Sequence, residues 1–194
     1  MKRVIIITSI SIAVIVLAIV GWLWQTGYFS WQSNTLAEYN LSFDYPNTFE
    51  SLPLSSADVD DQVLVRLVND ADLISEPVLV TFRVETGLRT AAALTRQGLT
   101  DMILGNLSKA YPKRYNDYKS ISERRFDREG HTAAEVIFTY TGVDGTLVQQ
   151  RFMIIELDGD RVMYVAAQSR ASDYSKMNKR YFDRLFDSVT FEKK

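Results

Sequence analysis

An α+β domain, one antiparallel sheet flanked by helices and carried behind an N-terminal transmembrane helix, is the architecture this sequence predicts. Three observations lead there. Val4 to Trp24 is an uncharged apolar run directly behind Lys2 and Arg3. Beyond it, stretches of alternating apolar and polar residues recur at the period of a half-buried strand, and two segments change to helical spacing.

The apolar run comes first. At about 1.5 Å per residue it reaches about 31 Å, the thickness of a bilayer's hydrocarbon core. A cleaved secretory signal also begins with basic and then apolar residues. This run, however, passes into Gly21-Trp22-Leu23-Trp24-Gln25-Thr26 without a small-x-small cleavage site. The glycine cleavage point and early glutamate of a type IV pilin are missing too. With no cysteine in the chain, a lipoprotein anchor and structural disulfides are excluded. Residues 1-24 therefore read as a retained signal anchor that places residues 4-24 in the lipid bilayer.

Lys2 and Arg3 are the only charges before Glu38. Basic residues flanking a span favour the cytoplasmic side, so a single-pass cell-membrane protein with its N-terminus cytoplasmic and its C-terminal domain extracytoplasmic is expected. Trp22, Trp24, Tyr28, Phe29 and Trp31 fall where the span leaves the membrane, a layer that suits rings with an apolar body and a polar edge. Residues 25-35 read as an aromatic interfacial linker; the alternative is that these rings pack on the folded domain.

Residues 36-194, about 160 in number, fit one extracytoplasmic domain with its own core. The chain has 22 Lys and Arg against 24 Asp and Glu, and setting aside Lys2 and Arg3 leaves 20 against 24 outside. That mild acidity argues against a general nucleic-acid binder.

Along the domain, Tyr39, Leu41, Phe43 and Tyr45 alternate on one strand face, which Pro46 ends. Gln62 to Asn69 and Pro77 to Glu85 alternate likewise, the second with Val78, Val80, Phe82 and Val84 on one apolar face. After Gly87 the period becomes helical. Thr90 is a suitable N-cap, Leu99, Met102, Ile103, Leu107 and Ala110 form a stripe, and Tyr111-Pro112 is the expected end. Strands follow over Tyr118 to Phe126 and His131 to Thr141, separated by a turn at Asp127 to Gly130. Asp144-Gly145 and Asp158-Gly159 read as hairpin turns around Thr146 to Leu157 and before Arg161 to Ser169, which completes a meander. Ser172 or Asp173 then caps a second helix with Tyr174, Met177, Tyr181, Leu185 and Phe186 on one face, and Ser188 to Phe191 closes as a short strand. Placing long helices after the first strands argues against an NTF2-like cone.

Segments at the opening and the close of the domain also carry a wider likeness. Tyr39-Asn-Leu-Ser-Phe-Asp-Tyr-Pro46 resembles the first strand of the PsbP-like superfamily. Arg161 to Gln168, Asp173-Tyr174 and Phe182 to Phe191 resemble its last strand, helix and terminus. The superfamily includes extrinsic subunits of the oxygen-evolving complex, a Ran-binding transport factor and bacterial envelope proteins. The resemblance, covering nearly all of the outer domain, implies a PsbP-like α/β/α sandwich and a non-catalytic docking or assembly role beside a membrane complex. It carries over no metal ligands, because no ligand positions match residue by residue.

The residue chemistry agrees with that expectation. His131 is the only histidine and sits beside a turn glycine, so a Ser/His/Asp triad has one anchor at most. No catalytic residue and no cofactor is expected. Asp58, Asp60 and Asp61 form a dense acidic run of oxygen ligands suited to calcium, but without the glycine and distal glutamate of an EF-hand loop; a solvated loop is the expectation. Lys113, Arg114, Lys119, Arg124, Arg125 and Arg128, with Lys109, are candidates for a partner-binding face if they lie together, with Asp117, Glu123 and Asp127 interleaved. Gln149, Gln150, Arg151, Gln168 and Arg170 interrupt apolar strands, either lining a groove or marking an uncovered face. The reading is a membrane-anchored binding or assembly module, an accessory subunit with a membrane protein partner. The alternative is an envelope solute or lipid sensor, which requires an enclosed apolar pocket. An enzyme would require converging carboxylates of raised pKa.

Overall fold

A computed structural model of the chain describes residues 14–21, 30–69, 78–88, 98–157 and 160–191. Residues 14–21 are helical, with Val14, Ile15 and Leu17 exposed. Among the described residues no helix is long and apolar enough to cross a membrane. The remainder of the run from Val4 to Trp24 lies outside them, as do Tyr28, Phe29, Thr90 and the turn at Asp158-Gly159.

Among the described residues ten strands make two antiparallel sheets where the sequence predicts one. β1 (Trp31–Leu36), β2 (Leu41–Pro46) and β10 (Thr190–Phe191) form the smaller, in the order β1-β2-β10. The larger comprises β3 (Glu50–Ser51), β4 (Val63–Asn69), β5 (Val78–Thr86), β6 (Asn116–Arg128), β7 (His131–Thr141), β8 (Leu147–Glu156) and β9 (Arg161–Arg170), ordered β3-β4-β5-β9-β8-β7-β6. The helices are α1 (Ser56–Asp60), α2 (Leu99–Arg114), and a C-terminal helix of α3 (Tyr174–Met177), a π turn (Asn178–Phe182) and α4 (Asp183–Ser188).

Alternation sets the two faces of the large sheet. Val65, Leu67, Val78, Val80, Phe82, Met153, Met163 and Val165 point to one side, beneath β2 and the C-terminal helix. Phe43 of β2 stacks on Phe82 at 3.9 Å between ring centres, and Tyr174, Met177, Tyr181, Leu185 and Phe186 are buried as the helical stripe predicts. The opposite face, with Ala134, Val136, Phe138, Phe152, Ile154 and Tyr164, lies under Leu99, Met102 and Ile103 of α2. Three layers result, the arrangement in which each apolar strand face and helix stripe finds a partner.

Several details differ from the sequence reading, each for a local reason. Residues 31–36 are a strand rather than linker. They pair with β2 from Trp31↔Pro46 to Leu36↔Leu41, a ladder whose polar side chains hide it from a periodicity argument. The acidic stretch contains α1, because Ser55 and Asp58 form a reciprocal capping box. In α2, Pro112 lies inside the helix; in the last turn the absent N–H costs a single bond, so the helix continues to Arg114. Its N-terminus begins at Gly98 and is closed from outside the segment: Thr100 donates from its backbone N–H and its hydroxyl to Glu156 Oε1, at 2.8 and 2.5 Å. The β6–β7 loop tightens to Glu129-Gly130, both at positive φ, so β6 runs two residues further into the turn than predicted, to Arg128, while β7 starts at His131 as read. At Asp144-Gly145 only the glycine takes positive φ, with its N–H donating to the Gly142 carbonyl.

Candidate functional site

The basic segment does not form one face. On β6, Arg124 and Arg128 point to the side of the C-terminal helix, because Arg124 opposes Glu135 and Arg128 opposes His131. Arg125 opposes Ala134 and points to the side of α2, and successive strand residues must separate in this way. All three are committed internally. Arg124 donates to Glu135 Oε1 at 2.9 Å and Arg125 to Asp101 Oδ1 at 2.9 Å, while Arg128 donates to the carbonyls of Asp187 and Val189, each at 3.1 Å. Lys119 opposes Thr139, on the face away from α2. Lys113 and Arg114 remain together at the end of α2, exposed, and with Lys109 they make no ion pair among the described residues.

Beside those cations stands a group of aromatic rings that the sequence reading did not single out. Tyr111 meets Tyr115, Tyr118 and Phe138 edge-on, with ring centres 5.1, 5.9 and 5.2 Å apart. Tyr115 lies 4.5 Å from Tyr140, and the Arg114 guanidinium lies over the Tyr115 ring at 5.6 Å. Phe138 is the buried base and the four tyrosines are half-buried. Burial pushes the Tyr111 phenol up to about 12 and raises Tyr118 and Tyr140 as well, so all three stay neutral donors at ordinary pH. Tyr140 donates to Gln168 Oε1 at 3.1 Å. The i, i+4 spacing of Tyr111 and Tyr115 was the available signal; that Tyr118 and Tyr140 join them follows only from the β6–β7 register.

The other candidates have structural tasks. Trp31 packs on the core with the Arg184 guanidinium 4.3 Å above its ring, the alternative placement considered for these rings. Asp58 is buried, caps α1 through Ser55 and pairs with Arg66, whereas Asp60 and Asp61 are exposed. The Ser55 hydrogen bonds and then Arg66 hold the Asp58 carboxyl below its ordinary value. The three carboxylates do not converge, and among the described residues no cluster of three or more potential metal ligands forms. His131 faces the Glu156 carbonyl through Nδ1 at 2.8 Å and lies tilted against the Phe191 ring, with centres 4.2 Å apart.

The polar residues of the meander divide by parity. Arg151, buried at 5% exposure, lies under the C-terminal helix and bridges Glu135 Oε2 at 2.7 Å, Asp183 Oδ1 at 2.8 Å and Asn178 Oδ1 at 3.1 Å. Its guanidinium is 4.4 Å from the Phe186 ring centre, and this hub ties the π turn to the sheet. Gln150, Gln168 and Arg170 face the α2 side. There Val68, Leu79, Val148, Gln168 and Arg170 line an open concavity of about 290 Å³. A second, of about 300 Å³, lies between Tyr39, Val59, Leu64 and Val84.

No known family profile and no curated protein matches the chain in sequence. Solved structures do match. Cyanobacterial PsbP (CyanoP) from Synechocystis sp. PCC 6803 aligns at TM-score 0.56 and 12% identity, over 84% of this chain and 93% of that one. LpqN of Mycobacterium tuberculosis, described as involved in cell envelope biogenesis, aligns at 0.53 and 16%, over 84% and 92%. The Ran-binding protein Mog1p of Saccharomyces cerevisiae aligns at 0.50 and 9%, over 84% and 95%. The described domain therefore shares its fold with these structures, cyanobacterial PsbP among them.

Proposed function

We propose that this chain is a non-catalytic, membrane-anchored accessory module whose extracytoplasmic domain docks an acidic surface of a membrane protein partner. One observation carries the reading. Of the cations the sequence groups together, Arg124, Arg125 and Arg128 are bound within the fold, while Lys113 and Arg114, without a counter-ion among the described residues, stand beside Tyr111, Tyr115, Tyr118 and Tyr140. Tyrosine and arginine are enriched where protein interfaces concentrate their binding energy, because large rigid rings bury area at low entropic cost. Exposed cations beside them select a partner of opposite charge. The neighbour named for Ran binding supports a binding role by analogy of fold alone. Anchoring rests on the apolar run from Val4 to Trp24, and the outward orientation on Lys2 and Arg3.

The test is solubilisation of the tagged full chain in mild detergent, with mass spectrometry of what co-purifies. A stoichiometric membrane protein retained by the wild type and by Lys119→Glu, but lost from Lys113→Glu/Arg114→Glu, is the expected result. Retention of the partner by the double variant refutes the assigned face, and a chain that emerges alone refutes the accessory role.

A further inference from the structure

The tyrosine group does not end at α2. Strand register carries it across the sheet: Tyr140 opposes Val148, which opposes Arg170, and in the next row Phe138, Gln150, Gln168, Leu79 and Val68 are successive partners. All of these lie on the side of α2, and Tyr140 is joined to Gln168 by its hydrogen bond. A continuous track therefore leads from Lys113 and Arg114, over Tyr115 and Tyr140, past a pair of glutamines, to the concavity floored by Val68, Leu79 and Val148.

Building on the docking role proposed above, we infer that this track binds an extended segment of the partner, with an acidic residue at the tyrosines and an aliphatic side chain in the concavity. Each part of the track matches one part of such a segment. Lys113 and Arg114, which have no counter-ion among the described residues, face the acid. Gln150, at 8% exposure between Phe138 and Gln168 on the neighbouring strands, makes no side-chain hydrogen bond with a described residue, and Gln168 uses only its carbonyl oxygen. Their amides can pair with the N–H and C=O groups of a chain running across the strands, which has no ladder of its own. Val68, Leu79 and Val148 then take an apolar end group. Spacing follows from the sheet: Tyr140 on β7 and Leu79 on β5 are three strand intervals and one row apart, about 16 Å, which an extended chain covers in about four to five residues.

The experiment uses the full chain in detergent micelles and synthetic fluorescent peptides of Ser, Thr and Ala carrying one Glu-Asp pair and one Leu two, four or eight residues after it. Fluorescence anisotropy should show the four-residue separation binding at least about tenfold more tightly than the other two. Leu→Ser in that peptide should cost about tenfold or more, a loss expected for one buried aliphatic side chain. Val148→Phe, which fills the concavity, should cost a similar factor. The peptide substitution leaves the protein untouched, so the inference stays falsifiable if that variant folds poorly.

Binding that is abolished by Lys113→Glu/Arg114→Glu yet indifferent to separation and to leucine overturns the track and leaves the docking face standing. The track also falls if no peptide binds while the native partner still requires Lys113 and Arg114. If short-chain phosphatidylglycerol binds in place of every peptide, and only through Lys113 and Arg114, a lipid headgroup is the ligand and both readings fall.

Discussion

Arg151 offers the sharpest test of the structural account. Its guanidinium and the Glu135 carboxylate are each about 5% exposed and 2.7 Å apart, beneath the C-terminal helix. Their outer partners are much wetter, with the Arg124 side chain 58% exposed and Asp183 49%. Arg151→Met keeps the volume and removes the charge. Glu135 is then left buried with one exposed cation, and breaking a buried pair on one side costs about 3–5 kcal/mol. Glu135→Leu strands Arg151 in the same way. The double variant should behave differently, because Arg124 and Asp183 can return to water and nothing charged remains inside; a loss of about 1 kcal/mol or less, or a gain, is expected. With a urea slope of about 1–3 kcal/mol/M, each single variant should move the midpoint by about 2 M and the double by well under 1 M. The assay is urea unfolding of the full chain in micelles, followed by circular dichroism. Single variants within about 1 kcal/mol of wild type, or a double variant as unstable as the sum of the two, would refute the reasoning.

Three other outcomes are expected. The Tyr174 hydroxyl is buried with no hydrogen-bond partner among the described residues, and burial pushes it up to about 12, so Tyr174→Phe should be neutral or stabilise by about 1 kcal/mol in the same unfolding assay. Asp58, held below its ordinary value first by the Ser55 hydroxyl, contributes stability above its unfolded value of about 4 that disappears as pH falls through its lower folded value; Asp58→Asn should destabilise at neutral pH and flatten the acid limb of the melting-temperature profile. Gly145 sits at φ +81 with open space around its Cα, so Gly145→Val should cost about 1–2 kcal/mol through backbone strain alone, read as a lower thermal midpoint.

Local signals were enough for elements whose partners are implied by their own pattern. The period-two face of β5 and the stripe from Tyr174 to Phe186 are buried as read, because an apolar face of either kind must be covered whatever covers it. β1 was illegible for the converse reason. Gln32, Ser33, Asn34 and Thr35 carry no apolar alternation, and what holds them is the β2 ladder with cross-strand bonds such as Ser33 Oγ to Asp44 at 2.6 Å. The cap on α2 comes from Glu156 of β8, far along the chain, so a search for a capping residue upstream could not find it. The π turn is equally invisible. Arg151 reads from sequence as an interruption of a strand, whereas its bonds to Asn178 and Asp183 anchor the start and end of that turn.

The candidate face was half legible, and the missing half decides how to test it. A run of cations can be counted from sequence, but which are neutralised depends on strand parity and on acids from elsewhere: Asp101 on α2 for Arg125, Glu135 on β7 for Arg124. Lys113 and Arg114 survive that sorting, yet a helix C-terminus favours cations even without a partner. Their presence is thus weaker testimony than that of the half-buried tyrosines, which the helix itself does not require. The two groups should also act on different rates. Charges at a rim steer encounter and respond to salt, whereas rings that become desolvated hold the complex together. Lys113→Gln/Arg114→Gln should therefore lower the association rate of the isolated partner about tenfold or less, with a flatter salt dependence. Tyr115→Ala/Tyr140→Ala should leave association nearly unchanged and raise dissociation about tenfold or more. Surface plasmon resonance at low and high salt separates these effects. If the tyrosine variant changes only the salt-dependent association rate, the rings are packing for Phe138 and the docking face rests on charge alone.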